Sequence, residues 1–398
     1  MNLLFLTLLY PEETKAQTAA ASRDGLQNQI DNYQRAFVRG IRENLREGES
    51  LDIVNSLPVG VFPFRYRKLW LHGGQRNGNI RELSGLNLPW FKQKFREWGA
   101  EREILRWVKQ SPENRTLLVY TLYEPYMKAI RRVKRRCPEL RAAVIVTDLP
   151  NQWGLASYRK GLMKKIEYAM GREKLCLCNV FDGFVLLTAP MREVLPVGDK
   201  PFVVIEGLIL EKELPPETQE TENSVLYTGT LNRELGIDEL LRAFEQMPEI
   251  QLWLCGRGDM ENEVRRSAET HPNIRYFGFV SQEEALSLQS RAAALINPRS
   301  PEGLYTRYSF PSKTLEYLRS GRPTLCYALD GIPKEYGQYL IYIQEPGADG
   351  IRRAVQEWMK RPAAEREARG RSGREYVLGN KNPRAQCEAL LSLLRRMG

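Results

Sequence analysis

The chain has 398 residues, of which 42% are hydrophobic and 27% charged, and its formal net charge is +10. This length exceeds one ordinary hydrophobic core and predicts two or three domains, and the composition is typical of soluble globular proteins rather than disordered ones. Its apolar stretches are shorter than the ~20 residues of a membrane-spanning helix, so we expect no such helix.

The first ten residues form an apolar stretch that lacks a basic leader and a small-residue cleavage site. We interpret it as a buried strand rather than a signal peptide, and we therefore expect the protein to stay in the cytoplasm. Apolar runs and helical patterns then alternate along the chain. Predicted strands cover residues 3–9, 51–54, 116–121, 142–147, 183–188, 202–205, 224–227, 250–255, 274–277, 294–297, 324–327 and 340–343. Predicted helices cover residues 27–44, 89–110, 124–137, 158–175, 236–246, 259–270, 282–291, 348–360 and 384–396.

Continuous apolar strands that alternate with amphipathic helices are typical of parallel sheets covered on both faces. Two such series meet near Glu206 and Gly207. We therefore predict an α/β fold of two Rossmann-like, doubly wound domains that face each other across a cleft. The first domain covers residues 1–207 and the second covers 208–383. A C-terminal helix near 384–398 is expected to pack back on the first domain.

Two segments fit this alternating pattern less well. Residues 55–110 are rich in Trp, Arg, Gly and Asn, and apart from the helix at 89–110 we interpret them as a loop over the cleft. Residues 215–223 are rich in Glu, Thr and Pro, and they predict a linker.

The cysteine and histidine pattern predicts no metal site. The six cysteines show no paired CxxC spacing, and the two histidines, His72 and His271, are far apart. No Asp-x-Asp sequence is present to hold a metal ion on a substrate phosphate. We expect free thiols, metal-independent chemistry and no cofactor.

All of the excess positive charge belongs to the first half of the chain. Residues 1–207 contain 33 Lys and Arg against 22 Asp and Glu, a net charge of +11, whereas residues 208–398 have a net charge of −1. The densest basic run is 131–136. Such a field suits phosphates, whether of nucleic acid, anionic lipid or a pyrophosphate-linked substrate, and a merely solvated basic surface is an equal alternative for a single run.

Turns that contain glycine follow four predicted strands of the second half, at 229–236, 256–258, 278–280 and 297–303. Ligands of open parallel sheets bind beyond the carboxyl ends of the strands, so these turns are predicted to lie together. Glycines allow the backbone to approach an anion closely, and Asn and Arg side chains can reach it. The candidate binding residues in these turns are Gly229, Thr230, Asn232, Arg233, Gly256, Arg257 and Phe279, and a further candidate, Arg307, follows the last turn.

The sequence from Tyr308 to Pro323 predicts a short helix whose first turn binds phosphate. Pro311 suits the first helical position, and Gly321 with Pro323 ends the helix. Free N–H groups and the helix dipole attract an anion to its start, where Lys313 adds a full charge. A capped surface helix with an i,i+3 ion pair is the alternative interpretation. The spacing of Ser312, Lys313 and Glu316 places hydroxyl, ammonium and carboxylate groups on one face of the helix. These three residues are candidates for binding, together with Tyr308 and Ser309 just before the helix.

A resemblance to a known enzyme family rests on six short segments. They are residues 227–232, 254–258, 277–280 and 309–323 in the second half, and 147–150 and 204–207 in the first. Together they resemble the GT-B-fold glycosyltransferases of the large retaining family four. The Ser-Phe-Pro-Ser-Lys form at 309–313 is similar to a branch common in bacterial capsule and exopolysaccharide assembly. The resemblance covers nearly the whole chain and is strongest over 224–333.

This resemblance implies a nucleotide-sugar donor in the second domain and a glycan acceptor, carried on a lipid pyrophosphate, in the first. It implies transfer with retention of configuration, and the basic first domain adds peripheral contact with the anionic inner face of the membrane. Nucleic acid is not an expected partner. Glu316 matches the second Glu of the family's Glu-x7-Glu motif, which holds the nucleotide ribose. Because Thr230 stands where the family has Arg, we expect Arg233, Arg257 or Lys313 to stabilise the charge of the leaving diphosphate.

Two positions stay open at this level. Tyr308 stands at the first Glu of the family motif if the spacing is kept, and Glu302 takes that place if six residues are inserted. Asp148, after the strand at 142–147, is with Lys313 a candidate catalytic residue facing the reacting sugar, and a turn cap is the equal alternative for it. The implied mechanism needs no protein nucleophile, because the leaving phosphate helps to deprotonate the acceptor.

Three other functions are compatible with parts of the pattern. A sugar-nucleotide 2-epimerase has the same fold, but it needs several acids and histidines in its cleft, and this chain has two scattered histidines. A basic protein that binds nucleic acid would explain the charge but not the helix at 311–320, and aromatic RNA-binding motifs are missing. A catalytically inactive relative that only binds sugar nucleotides would explain why the first Glu of the family motif is displaced. The nucleotide, sugar, linkage and oligomeric state are not specified by the sequence.

Overall fold

The computed structural model describes residues 1–76, 79–111, 113–150, 171–209, 221–302 and 306–397. The chain forms two compact units, Met1–Leu208 with Pro383–Gly398 and Ile209–Asn382. Most of the helix predicted at 158–175 and most of the linker predicted at 215–223 lie outside the described residues. Of the former, residues 171–175 are helical.

Strands and helices alternate in both units. The strands are β1 (Asn2–Thr7), β2 (Ser50–Asn55), β3 (Trp70–Leu71), β4 (Gly74–Arg76), β5 (Ile80–Glu82), β6 (Gly85–Leu86), β7 (Arg115–Tyr120), β8 (Arg141–Val146), β9 (Gly183–Leu186), β10 (Phe202–Val204), β11 (Glu222–Thr228), β12 (Gln251–Cys255), β13 (Ile274–Tyr276), β14 (Ala292–Asn297), β15 (Thr324–Tyr327) and β16 (Leu340–Ile343). The helices are α1 (Glu12–Ala21), α2 (Asn28–Asn44), α3 (Phe91–Gln110), α4 (Glu124–Arg136), α5 (Ile237–Glu245), α6 (Glu261–Thr270), α7 (Gln282–Arg291), α8 (Ser312–Ser320), α9 (Gly347–Met359), α10 (Ala363–Asn380) and α11 (Pro383–Met397).

The first unit is built on a sheet with the strand order β10-β9-β8-β7-β1-β2-β5-β4. Its neighbouring strands pair in parallel except for β4 and β5, and β3 pairs with β6 in a separate two-stranded sheet. The pleat of β1 directs Leu3 and Phe5 into a core that α2 and α11 cover. Gly40 on α2 lets α11 approach closely, because a Cβ at this position would lie 2.1 Å from the Pro383 carbonyl oxygen.

The second unit has the strand order β13-β12-β11-β14-β15-β16, and these strands pair in parallel. The chain begins at β11, moves outward through β12 and β13, and then crosses to β14 on the other side. Such a reversal creates a crevice at the carboxyl ends of the two central strands, and open α/β sheets bind their ligands there. The predicted α/β class of two Rossmann-like domains is confirmed.

Two predictions about regular structure were wrong, and two helices were not predicted. The segment before α3 is not a plain loop, because it contains β3 to β6, whose two or three residues are too short for a periodic pattern. Residues 222–223, predicted as linker, belong to β11. Helices α1 and α10 were not predicted, and in α10 the glycines concealed the pattern. A Cβ at Gly370 would lie 2.0 Å from the Gly321 carbonyl oxygen, so this glycine serves close packing of α10 on the end of α8.

Among the described residues, no helix is long and apolar enough to cross a membrane.

A bidentate ion pair between Arg395 and Glu49 fixes α11 to the first unit and leads to a prediction about stability. Arg395 donates to both carboxylate oxygens of Glu49, at 3.0 and 2.7 Å. These hydrogen bonds outweigh the desolvation of the carboxylate and lower the pKa of Glu49 to about 2. A lowered folded-state pKa stabilises the protein above the ordinary Glu pKa of about 4.3, and this stability is lost as the pH falls towards 2.

We expect Glu49→Gln to lower the free energy of unfolding by about 2 kcal/mol at pH 7, with a smaller difference from wild type near pH 3. Urea unfolding at the two pH values measures this. The matched control is Glu43→Gln, which removes the exposed pair between Glu43 and Arg39 on α2 and should change stability by a few tenths of a kcal/mol. Equal effects of the two substitutions would contradict the assignment.

Candidate active site

The backbone turns after β11, β12 and β13 pack directly on one another in the second unit. The Gly229 N–H donates to the Cys255 carbonyl at 2.9 Å, and the Gly256 N–H donates to the Gly278 carbonyl at 2.8 Å. A Cβ on Gly256 would lie only 1.7 Å from the Gly229 carbonyl oxygen. The sequence predicted these glycines for approach to a ligand. At Gly256 the missing side chain instead allows backbone to pack on backbone.

Helix α8 begins one residue later than predicted. Pro311 has extended dihedral angles, φ −72° and ψ 107°, and it is the N-cap residue rather than the first helical residue. Its carbonyl accepts a hydrogen bond from the Thr314 N–H at 2.9 Å, as expected where a helix starts. The helix ends at Gly321, whose φ of 79° favours glycine, as the sequence predicted.

Lys313 and Glu316 form the centre of the candidate site. The Lys313 Nζ lies 2.9 and 2.8 Å from the two carboxylate oxygens of Glu316. The side chain of Lys313 runs over the turn after β11, because its Cε would be 3.4 Å from a Cβ on Gly229. The ammonium and carboxylate groups therefore stand beside the carboxyl end of the central strand.

A glutamine that the sequence analysis missed completes this network. The Gln289 Nε2 on α7 donates to Glu316 Oε1 at 2.7 Å and to Thr228 Oγ1 at 3.2 Å. Gln289 is fully buried, so its amide fixes one oxygen of Glu316 while the carboxylate stays partly accessible. No local motif marks it, since α7 is 20 residues from α8 in sequence.

A buried tyrosine ties α8 to β11. The Tyr317 hydroxyl accepts from the Thr228 N–H at 2.9 Å and donates to the Thr228 carbonyl at 3.1 Å. Burial, with Tyr227 and Glu316 nearby, raises the pKa of Tyr317, so the hydroxyl keeps its proton and can donate. The loop that begins at Gly229 is thus held at a fixed distance from the helix that carries Lys313.

The structure pairs Asn232 and Arg233 with acidic residues of their own unit. The Asn232 Oδ1 accepts from the Asp259 N–H at 3.2 Å, and the Arg233 N–H donates to Asp259 Oδ1 at 3.1 Å. The Arg233 guanidinium donates to Asp238 at 3.1 Å. Thr230 is exposed and presents only its carbonyl to a neighbour, the hydroxyl of Tyr227. The Arg233 guanidinium therefore already has a carboxylate partner, which it shares with Arg242.

Other predicted residues of this site contact different partners. The Arg257 guanidinium lies 5.0 Å from the ring centre of Phe279, which is 70% exposed. Arg307 forms an ion pair with Asp330 at 3.7 Å. The structure thus brings Arg257 and Phe279 together, but it records no contact of either with Lys313.

Several candidate residues lie just before α8 or on its first turn. The Ser309 hydroxyl accepts from the Arg299 guanidinium at 2.7 Å. Tyr308 is half-buried, and Ser312 is exposed on the first turn of α8. Glu302 is exposed, and its backbone N–H donates to the Ser300 hydroxyl at 3.2 Å. That either Tyr308 or Glu302 takes the place of the first Glu of the family motif stays a prediction.

Asp148, the candidate in the first unit, follows β8 and is exposed. Desolvation by surrounding protein raises the pKa of its carboxyl, and the positive charge of Lys174 opposes this. The preceding Thr147 hydroxyl donates to the Thr121 hydroxyl at 3.1 Å, which fixes the end of the strand. A raised pKa is a common property of catalytic carboxyls.

Within the described ranges, no group of three or more His, Cys, Asp and Glu side chains could hold a metal ion.

Comparison with known proteins identifies the domain that carries this site. Residues 211–376 match the family model described as Glycosyl transferases group 1. No sequence among the curated proteins matches the chain.

Solved structures resemble the chain over nearly its full length. Sucrose-phosphate synthase from Thermosynechococcus elongatus is 15% identical, with a TM-score of 0.61 over 100% of this chain and 99% of that one. The α,α-trehalose 6-phosphate synthase from Burkholderia multivorans is 10% identical, with a TM-score of 0.60 over 99% and 96%. Anabaena HepE in complex with UDP is 10% identical, with a TM-score of 0.60 over 98% and 100%.

These likenesses establish the two-domain, Rossmann-like GT-B fold. The match of residues 211–376 to the group 1 model makes the protein an enzyme that acts as a glycosyltransferase, as the sequence analysis predicted.

The contact between the turns after β11 and β12 yields a prediction. We expect Gly256→Ala to lower the free energy of unfolding by about 3 kcal/mol or more, because the new Cβ would overlap the Gly229 carbonyl oxygen. The matched control is Gly278→Ala in the neighbouring turn. Gly278 has a φ of 76° but no atom within 4 Å of a new Cβ, so only backbone strain of about 1–2 kcal/mol is expected there. Denaturant unfolding of both variants tests this, and similar losses would refute it.

Proposed function

We propose that this protein transfers a sugar from a nucleotide-sugar donor to a glycan, and that the start of α8 and the turn after β11 hold the donor. One observation carries the proposal. Lys313 and Glu316 form a single polar network beside Gly229, at the point where the strand order of the sheet reverses. Open α/β sheets bind nucleotides at such a point, where backbone N–H groups and helix dipoles favour phosphate.

In this proposal the diphosphate lies against the Gly229 turn and the first turn of α8, within reach of the Lys313 ammonium. Glu316 accepts hydrogen bonds from the ribose hydroxyls. A carboxylate has about four acceptor positions, of which Gln289 occupies one and the Lys313 ammonium two, so both hydroxyls of a diol can donate once Lys313 turns to the diphosphate. The UDP in the structure of Anabaena HepE supports a nucleoside diphosphate as the shared chemical group.

We assign Lys313 the main role in stabilising the leaving diphosphate. Negative charge develops on the β-phosphate as the sugar leaves, and a fixed cation can stabilise it without a metal ion. Arg233 and Arg257 are the secondary candidates, since their contacts are with Asp238 and Phe279 rather than with the network of Lys313 and Glu316 beside Gly229. The resemblance to the retaining family supports transfer with retention, and Asp148 is the proposed first-unit residue that faces the reacting sugar.

For the acceptor we propose a glycan on a lipid pyrophosphate, used in bacterial surface polysaccharide synthesis at the inner face of the membrane. The support is the net charge of +11 on residues 1–207 together with the resemblance at 309–313. A pyrophosphate carried on a lipid combines a concentrated negative charge with an anionic surface around it, and both favour a basic unit.

Thermal-shift measurements with a panel of nucleoside diphosphates and sugar nucleotides test donor binding. We expect at least one nucleotide to raise the melting temperature of the wild type by several degrees at saturation. Lys313→Ala should weaken that nucleotide about 10- to 100-fold, because it removes a charge-assisted hydrogen bond worth about 1.5–3 kcal/mol.

Lys334→Ala, which removes an exposed lysine of the same unit, is the matched control and should leave the response unchanged. A wild type that responds to no nucleotide would end the proposal. If both lysine variants lost the thermal response to the same extent, Lys313 would have no specific role in the site, whereas the proposal that the protein binds a nucleotide would stand.

A second prediction concerns Asp148. We expect Asp148→Asn to lower kcat about 100-fold or more while the thermal response to the nucleotide stays intact. Because the pKa of Asp148 is raised, activity of the wild type should fall at an acidic pH above the ordinary Asp pKa of about 3.9. The variant should lose this acid limb from its pH profile of kcat. A variant with wild-type kcat would show that Asp148 is only a turn cap.

A further inference from the structure

The exposed apolar side chains of this protein are concentrated in one segment. Six of the eight exposed large hydrophobic residues in the described part of the chain lie between positions 64 and 98, and they are Phe64, Leu69, Trp70, Trp90, Phe91 and Trp98. Scattered single exposures are ordinary on protein surfaces, whereas a contiguous group marks an interaction site.

Five aromatic residues, which we call the aromatic face, lie on and beside the first turns of α3. Phe91, Phe95 and Trp98 have the spacing of one helix face. The ring centre of Phe95 lies 6.0 Å from that of Trp98 and 6.0 Å from that of Trp70. Trp90, which precedes the helix, completes the aromatic face.

The backbone of Trp90 presents its indole to solvent. Trp90 is the N-cap residue of α3 with a φ of 68° and a ψ of −48°, and it is 89% exposed. A positive φ is strained for a bulky residue, and such strain is a sign of function when nothing in the core requires it. Burial of the indole cannot be the reason here.

The charges that accompany the aromatic face all have one sign. The exposed charged residues of α3 are the cations Lys94, Arg102, Arg106 and Lys109. Its three acids, Glu97, Glu101 and Glu103, have side chains no more than 14% exposed, and arginines pair with each of them. The outward surface of α3 is therefore aromatic and basic.

Most of the exposed cations of α3 pair with its largely buried acids, Lys94 with Glu97 and both Arg102 and Arg106 with Glu103. The neighbouring helix α4 adds further cations. Arg132 pairs with Glu97 and Glu101, and Arg136 pairs with Glu101. Arg131 and Arg135 are exposed and form no ion pair within the described ranges. Together α3 and α4 carry twelve Lys and Arg against four Asp and Glu.

We infer that the aromatic face and the exposed cations of α3 and α4 form a docking surface for an anionic lipid bilayer. Indole rings prefer the headgroup region of a membrane, and each Lys or Arg near an anionic surface contributes about 1 kcal/mol. A second copy of this chain is a poorer partner, because a twofold contact would oppose like charges. The proposed lipid-linked acceptor is the reason for choosing a bilayer over single-stranded nucleic acid, which also uses aromatics and cations.

Co-sedimentation of the full chain with vesicles tests this inference. We expect binding to vesicles that contain phosphatidylglycerol, little binding to phosphatidylcholine alone, and weaker binding as salt is raised. Trp90→Ala combined with Trp98→Ala should lower the partition coefficient about tenfold or more. The matched control is Ile30→Ala, an exposed apolar residue of α2 outside the aromatic face, which should change nothing.

The charge contribution has its own pair of variants. Arg131→Gln with Arg135→Gln should weaken vesicle binding several-fold, whereas Arg141→Gln, an exposed arginine at the start of β8, should not. Wild-type vesicle binding by the double tryptophan variant would overturn the inference. So would tighter binding of a single-stranded oligonucleotide than of vesicles, or a dimer that the tryptophan substitutions dissociate.

The nucleotide thermal shift separates this inference from the proposed function. The double tryptophan variant should keep the wild-type response to nucleotide, which also shows that it is folded. A wild type that responds to nucleotide but does not bind vesicles would overturn only the docking surface. Vesicle binding without any nucleotide response would overturn only the proposed function.

Discussion

The candidate donor site depends on the two hydrogen bonds between the Tyr317 hydroxyl and the backbone of Thr228. They join the helix that carries the charged residues to the strand end that supplies the phosphate-facing turn. Behind the helix, α10 packs without a side chain at Gly370, so α8 is held from both sides. Because both contacts involve backbone atoms, the distance between Lys313 and the turn after β11 is set by the packing of the unit rather than by flexible side chains.

Each cation predicted to bind phosphate has a partner within its own unit. Lys313 contacts Glu316, Arg233 contacts Asp238, and Arg257 lies over Phe279. A donor must therefore exchange these partners, so its binding energy is the difference between two sets of contacts. This arrangement favours a diphosphate over weaker anions, because only a concentrated charge replaces a carboxylate without loss.

Sequence patterns within single segments predicted most strands and helices, whereas contacts between segments that are distant in sequence were not predictable. Strand periodicity predicted the strands of the two large sheets except β4 and β5, and the helix at 312–320 was predicted to within one residue at its start. Gln289 was missed because its role arises from the packing of α7 against α8, which no spacing records. Helix α10 was missed because its glycines, which weaken helices in isolation, are required for contact with α8. The charge of 131–136 was overestimated, because two of its arginines neutralise acids of α3.

The uneven charge of the two halves follows from the different shapes of the anions that we propose for them. A diphosphate is small, so a few cations at fixed positions suffice, and the second half of the chain has a net charge of only −1. A membrane surface is extended, and its attraction adds over many loosely placed cations. Such a surface requires acids to be withdrawn from the contact, and Glu97, Glu101 and Glu103 on α3 are buried against arginines in this way. The basic character of the outward surface of α3 is thus a consequence of where its acids lie as well as of how many cations it has.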